Sequence, residues 1–250
     1  MPNPFFSIIT PVYNRANDGR LKRCLDSTSI QTLGDFEHII VDDGSKDDVE
    51  SVISQFDERY KYVRIEHQGR VQARNAGYAV MKGQWVTNLD SDDTYDPEYL
   101  HTFHYHITQN PGVHLWVCAS CLHGVLKDEN GKHLVPKWTK IRKAWKPPMD
   151  KTGEAVHAFF TSGKIGLGQY VFSREAFEKI GPFPSDWYNH YHIADGVHEW
   201  TGYQMDTPFY SAAKRWVGDP NGEDHCQMLA LARYYEVSLI DAALYRQYKR

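Results

Sequence analysis

What most restricts the fold of this chain is a rhythm in its first hundred residues, where short β-branched or apolar runs alternate with stretches of helical spacing. Residues 6–12 read as a strand, and residues 20–31 as a helix with Leu21, Cys24, Leu25 and Ile30 on its apolar face. Residues 37–41 read as a second strand that stops abruptly at Asp42-Asp43-Gly44-Ser45. A helix is predicted over 48–56, a strand over 62–66, a helix over 72–81, and a strand over 84–89 that runs into Asp90-Ser91-Asp92-Asp93. Strands alternating with short helices imply right-handed βαβ units, an α/β fold and a mostly parallel sheet flanked by helices. Ligands of such sheets sit beyond the carboxyl ends of the strands. Both acidic clusters fall there.

After Asp93 the rhythm changes. Residues 97–109 predict a helix, and the extended stretches 113–127 and 133–135 flank Asp128-Glu129-Asn130-Gly131, a hairpin signal. No acid occurs between 132 and 149, where Lys137, Lys140, Arg142, Lys143 and Lys146 gather around Trp138 and Trp145. That stretch reads as a solvated loop, a lid, or a contact for an anionic acceptor such as a nucleic acid or lipid phosphate. A strand over 170–173 and a helix over 174–180 precede an irregular segment rich in Trp, Tyr and His. A helix over 224–234, a short strand at 237–239 and a final helix are expected to close the chain.

Length and charge narrow the class. With 250 residues the chain fits one large α/β domain or two small ones. A net charge of −4 argues against a surface coated in basic charge, while leaving room for a local patch. No apolar run approaches the ~20 residues of a membrane helix, so no integral membrane segment is expected. The N-terminus lacks a basic leader region, so a cytoplasmic protein with its four cysteines reduced is expected. Cys118 and Cys121 form a lone C-x-x-C in a run of strand formers. There, residues three apart point to opposite faces, which argues against a shared metal.

Asp90, Asp92 and Asp93 repel one another unless a cation neutralises them. Mg²⁺ and Mn²⁺ bind through one or two carboxylates together with substrate phosphates. A helix cap at Asp93 or Thr94 would account for one acid, not three. Asp43 can accept from a base N–H or a ribose hydroxyl, and the Arg74 fork suits a phosphate or an aspartate, or merely a surface ion pair. Gly166-Leu167-Gly168 lacks the completion of a phosphate loop and reads as flexible backbone where an acceptor passes close.

Four motifs, in order and spacing, resemble glycosyltransferase family 2: Thr10-Pro11-Val12-Tyr13-Asn14, Val41-Asp42-Asp43-Gly44-Ser45, Ala73-Arg74-Asn75-Ala76-Gly77 and Leu89-Asp90-Ser91-Asp92-Asp93. The likeness resumes over 171–183 and at Gly222-Glu223-Asp224, and is absent over 184–221, where Trp187, Tyr188, Tyr191 and Trp200 read either as rings that stack on a glycan acceptor or as the core of a large insert.

The resemblance implies a single GT-A domain over 1–250, with a nucleotide-sugar-binding half to about residue 100 and an acceptor-binding, catalytic half from about 101. It implies inverting transfer from a nucleotide-diphospho-sugar, UDP-linked by expectation, to a hydroxyl of a glycan or other acceptor. Pro11, Tyr13, Asp43 and Arg74 would surround the nucleoside, with Asp90, Ser91 and Asp92 at the ribose and diphosphate. Asp92 and Asp93 would hold Mn²⁺ or Mg²⁺, His225 being a candidate late ligand. Asp224 would be the general base, with Glu223 beside it. A sugar nucleotidyltransferase, or a silent nucleotide-sugar or glycan-binding module of the same fold, is the alternative. Residues 11–17 lack the glycine- and lysine-rich loop of the former, and the acids whose loss would mark the latter are present.

Overall fold

The structure is a computed structural model that describes residues 3–127, 133–142, 166–183, 193–194, 197–198, 223–232 and 234–249. The expected alternation is present. Strand β1 (Phe6–Val12), helix α1 (Arg20–Ser29), β2 (Phe36–Asp43), α2 (Val49–Ile53), β3 (Tyr60–Ile65), α3 (Arg70–Val80) and β4 (Trp85–Asn88) follow one another. Strand β2 runs two residues past its expected end, so Asp42 and Asp43 close the strand itself. Strands β1 to β4 pair in parallel in the order β3-β2-β1-β4. All seven residues of β1 and all eight of β2 are buried, because helices cover both faces and leave no solvated side. Ile9, Ile39 and Val41 pack with α3 on one face, while Ile8, Ile40 and Val12 pack with α1 and α2 on the other.

The second half completes the same sheet. Strand β5 (Thr94–Tyr95) and helix α4 (Tyr99–Gln109) follow the acidic loop, and β6 (Leu115–Lys127) pairs antiparallel with β7 (His133–Arg142) as the hairpin signal implied. A 3₁₀ turn (Leu167–Gln169) leads into β8 (Tyr170–Ser173), then helix α5 (Arg174–Ile180). Strands β9 (Ile193–Ala194) and β10 (Val197–His198) form a separate ribbon. Helix α6 (Glu223–Ala232) and strand β11 (Val237–Lys249) end the described chain. Among the described residues the main sheet has nine strands, running β4-β8-β6-β11-β5 beyond the parallel part, with β7 on β6. It is a mixed, mostly parallel sheet with helices on both faces. Among the described residues no helix is long and apolar enough to cross a membrane.

Several expectations are corrected. The final helix is absent: the stretch belongs to the 13-residue β11, which pairs with β6 on one side and β5 on the other. Ala242-Ala243-Leu244 favours helix locally, but two ladders outweigh that propensity. Register shifts between Ile240 and Tyr245 absorb the misfit as bulges. The basic stretch begins as strand rather than loop, with Lys137, Lys140 and Arg142 on β7, while Lys143 and Lys146 lie outside the described residues. Helix α4 starts at Tyr99 with Glu98 as its N-cap, so neither Asp93 nor Thr94 caps it.

Candidate active site

The four parallel strands deliver the site at their carboxyl ends. Pro11 is buried against Val41 near the end of β1, and Tyr13 emerges exposed just beyond. Asn14 turns the chain with φ 52°, a left-handed conformation that Asn tolerates better than most residues. Its backbone N–H donates to Ser45 Oγ (3.0 Å), and its side-chain oxygen accepts from the Lys46 N–H (2.8 Å). Asp47 accepts from the N–H of Ala16 (2.7 Å). The loops after β1 and β2 are therefore tied into one rim.

The two acids ending β2 have separate fates. Asp42 is fully buried and accepts from Ser45 N–H (2.8 Å), Tyr62 OH (2.8 Å) and the Arg64 guanidinium. Asp43 is buried as well. Its two oxygens accept from the N–H groups of Gln68 (2.8 Å) and Gly69 (2.9 Å), where the chain enters α3. A carboxylate there satisfies helix-terminal donors and complements the helix dipole. His67 Nδ1 lies 2.9 Å from Asp43 Oδ2, and the His67 ring stacks on Tyr13 with centroids 4.1 Å apart. His67 was missed by sequence reasoning; its position between β3 and α3, at the same carboxyl edge, was the available signal.

Helix α3 carries Arg74. The helix approaches the sheet closely because Gly77 lacks a side chain: a Cβ there would lie 2.6 Å from Ile9 Cγ2. Arg74 is 1% exposed, and its Nη2 donates to Asp90 Oδ1 at 2.6 Å. The pair joins two motifs and is not a surface ion pair. Asp90 and Asp92 remain partly open, their side chains 40% and 32% exposed, and Arg20 Nη1 lies 3.6 Å from Asp92 Oδ2. Ser91 is buried between them. Asp93 turns inward. Its oxygens accept from Tyr245 OH and from the Tyr248 N–H (3.0 Å) on β11. Burial, then the neighbouring charges of Asp90 and Asp92, push its carboxyl well above the ordinary range.

Glu223, Asp224 and His225 open helix α6, with side chains outside the described residues. One turn on, Gln227 is buried and accepts from Tyr170 OH (2.9 Å), while its amide donates to Tyr78 OH (3.1 Å). Tyr78 OH in turn donates to Asn88 Oδ1 (2.9 Å), at the end of β4. This network sets the register of α6 against the strand that delivers Asp90, and it joins residues too far apart in the chain to be linked from sequence. Asn75 does similar work for the later motif: its amide brackets the backbone of Phe183 at 2.9 and 3.0 Å. The aromatic insert over 184–221 lies outside the described residues apart from β9 and β10. Gly166-Leu167-Gly168 is not a flexible approach for an acceptor, because Gly168 packs under the buried Tyr245 ring. Cys118 and Cys121 both sit on β6.

Among the described residues no three His, Cys, Asp or Glu side chains gather into a ready-made metal shell. A hard divalent cation held by one or two carboxylates and completed by substrate phosphates needs no such shell. The open carboxylates of Asp90 and Asp92 fit Mg²⁺ or Mn²⁺ on those terms; Asp93, with both oxygens engaged, does not face outward with them.

Residues 7–181 match the family described as Glycosyl transferase family 2. The chain is 38% identical to the glycosyltransferase GlyA of Streptococcus pneumoniae over 106 residues, 41% of this chain and 15% of that protein. It is 35% identical to the EpsH protein of Bacillus subtilis over 102 residues, 40% of this chain and 29% of that one. The chain thus matches less than a third of the length of either relative. Among solved structures, Staphylococcus aureus TarS superposes with a TM-score of 0.61 at 18% identity, over 100% of this chain and 37% of TarS. A TarS fragment, residues 1–349, in complex with UDP-GlcNAc gives 0.59 at 16%, over 100% of this chain and 59% of that one. A mannosyltransferase from Pyrobaculum calidifontis in complex with GDP-Man and Mn²⁺ gives 0.55 at 16%, over 98% and 57%. At these identities the likeness is one of fold, and it is the GT-A arrangement expected.

Proposed function

The chain belongs to glycosyltransferase family 2, and from that premise we propose that it moves a sugar from a nucleotide-diphospho-sugar, UDP-linked by preference, to a hydroxyl acceptor with inversion. The observation that carries the reading is the convergence at the end of β4. Two partly open carboxylates, Asp90 and Asp92, stand there with the guanidiniums of Arg74 and Arg20 against them. The stacked Tyr13 and His67 lie beyond the ends of β1 and β3, with Asp43, at the end of the β2 strand between them, against His67. Support for a nucleotide-sugar comes from structural neighbours solved with UDP-GlcNAc and with GDP-Man.

In the proposed reaction the acceptor hydroxyl oxygen attacks the anomeric carbon as the bond from that carbon to the diphosphate oxygen breaks. One displacement inverts the configuration. Asp224, in the first turn of α6, takes the hydroxyl proton, with Glu223 beside it. Tyr13 and His67 hold the base by stacking, Pro11 walls the nucleoside, and Asp43 keeps the rim in place through α3. Arg74 holds Asp90 toward the ribose and diphosphate, with Ser91 in the same turn. Asp90 and Asp92 would hold Mn²⁺ or Mg²⁺, which when bound offsets the charge of the departing diphosphate. His225 is a candidate late ligand in the same helical turn as Asp224.

The acceptor, a glycan or other hydroxyl compound, would be bound by the second half of the chain. Lys137, Lys140, Arg142, Lys143 and Lys146 would serve an anionic acceptor. We read residues 1–250 as one GT-A domain working in the cytoplasm. The test is Asp224→Asn assayed beside Asp92→Asn. The first should keep nucleotide-sugar binding and lose transfer; the second should lose divalent-metal dependence together with transfer. Full transfer by Asp224→Asn rejects the base, and full transfer in excess EDTA rejects the metal.

A further inference from the structure

We propose that Arg23, braced on the ring of Tyr248, is the positioning residue that fixes Asp92 in the acidic loop. The inference rests on the reading of Asp92 as a ligand of the cation and deepens it.

Arg23 lies one turn into α1, and its Nη2 donates to the backbone carbonyl of Asp92 at 2.6 Å. The same guanidinium sits over the Tyr248 ring, its carbon 4.0 Å from the centroid. A planar, delocalised cation can stack and donate at once, which an ammonium cannot match. Tyr248 is itself held, for the buried ring of His123 stacks on it at 5.1 Å with planes 21° apart. The Tyr248 N–H and the Tyr245 hydroxyl then take the two oxygens of Asp93. Within the loop, the Asp93 N–H donates to the Asp90 carbonyl at 2.9 Å.

Asp92 is therefore gripped on its own carbonyl and through the next residue, while its side chain stays partly open. The loop is not shaped by the acids alone, which repel one another. It is drawn into place by α1 and β11, elements 69 and about 155 positions away in sequence. Groups behind a ligand commonly change metal affinity by about 10- to 100-fold when removed, because the ligand then has to be ordered at the moment of binding.

Mn²⁺ titrated into the full chain in the presence of UDP, and separately of GDP, tests this, with free Mn²⁺ followed by electron paramagnetic resonance. Uridine and guanosine binding without metal is measured beside it. Arg23→Gln and Tyr248→Leu should each weaken Mn²⁺ binding about tenfold or more, with nucleoside affinity unchanged. Tyr248→Phe should bind Mn²⁺ as the wild type does, since the brace uses the ring and the phenol oxygen accepts a long hydrogen bond, from Thr94 Oγ1 at 3.4 Å. Should Arg23→Gln fail to fold, Tyr248→Leu against Tyr248→Phe carries the same comparison. Wild-type Mn²⁺ affinity in Arg23→Gln or Tyr248→Leu overturns the inference alone, as does an equal loss of nucleoside and metal. A wild-type chain that takes up no Mn²⁺ with either nucleotide overturns the metal reading, and the role of Arg23 with it.

Discussion

Tyr13 and His67 stack with their ring centroids 4.1 Å apart and their planes 20° apart, although they belong to loops after different strands. The His67 side chain also reaches Asp43, so the exposed tyrosine rests on a ring anchored to the buried end of β2. A platform built this way presents a rigid aromatic surface at little entropic cost when a base lies against it. Base stacking on aromatic side chains contributes about 1–3 kcal/mol. His67→Ala should therefore weaken UDP binding by about fivefold or more, through loss of the support as well as of its own ring. Calorimetric titration of UDP into wild type and variant checks it. An unchanged dissociation constant removes His67, and its support of Tyr13, from the nucleoside site.

Arg74 and Asp90 form a pair in which one member is buried and the other reaches solvent. The asymmetry sets what each substitution does. Asp90→Asn leaves a buried guanidinium facing a neutral amide, and a lost charge-assisted bond at such a site costs about 1–3 kcal/mol. It should lower stability in urea by that order and also impair transfer. Arg74→Met fills similar volume and frees a carboxylate that water can solvate, so its stability loss should be the smaller. The opposite ranking in denaturant titrations would mean that the pair does not hold α3 to the acidic loop.

Gly168 has a steric task. A Cβ there would lie 2.3 Å from Tyr245 Cε2, and the ring cannot swing away without releasing its hydroxyl from Asp93. Overpacking a filled core costs about 1–3 kcal/mol. Gly168→Ala should lower the melting temperature and weaken divalent-metal binding together, because both depend on the tyrosine. A destabilised variant with intact Mn²⁺ affinity would separate the 3₁₀ turn from the acidic loop.

The parallel part of the fold was legible because its strands are short apolar runs that need no partner to be recognised. Its carboxyl ends were legible because an apolar run that stops in a cluster of acids marks where a buried strand leaves the core. The rest depended on distant partners. Asp93 looks in sequence like a third outward acid; Tyr245, 152 positions later, turns it inward. The last strand reads as helix over Ala242-Ala243-Leu244, and only pairing with β6 and β5 makes it extended. His67 is a lone histidine in a connecting loop until β2 brings Asp43 beside it. Asn75 was legible as part of a motif, but its task, holding Phe183, lies 108 positions away.

His38 provides a test of the core that is independent of the site. It is fully buried on β2, with Thr10 Oγ1 at 2.8 Å from Nε2 and Thr28 Oγ1 at 3.0 Å from Nδ1. Burial away from water pushes its pKa down to about 3. In the unfolded chain the ring titrates near ~6.5, so below that pH the unfolded state binds a proton that the folded state refuses. Its contribution is fully present above the unfolded value and is lost as pH falls from there toward the folded one. The loss amounts to about 2 kcal/mol between pH 6.5 and 4.5, at about 1.4 kcal/mol per pH unit once the gap is open. His38→Gln keeps hydrogen-bonding capacity without the titration. Its urea-unfolding free energy should fall less steeply over that window, while the carboxylates common to both proteins cancel in the difference. Parallel pH profiles for wild type and His38→Gln would show that the ring can accept its proton in the folded state.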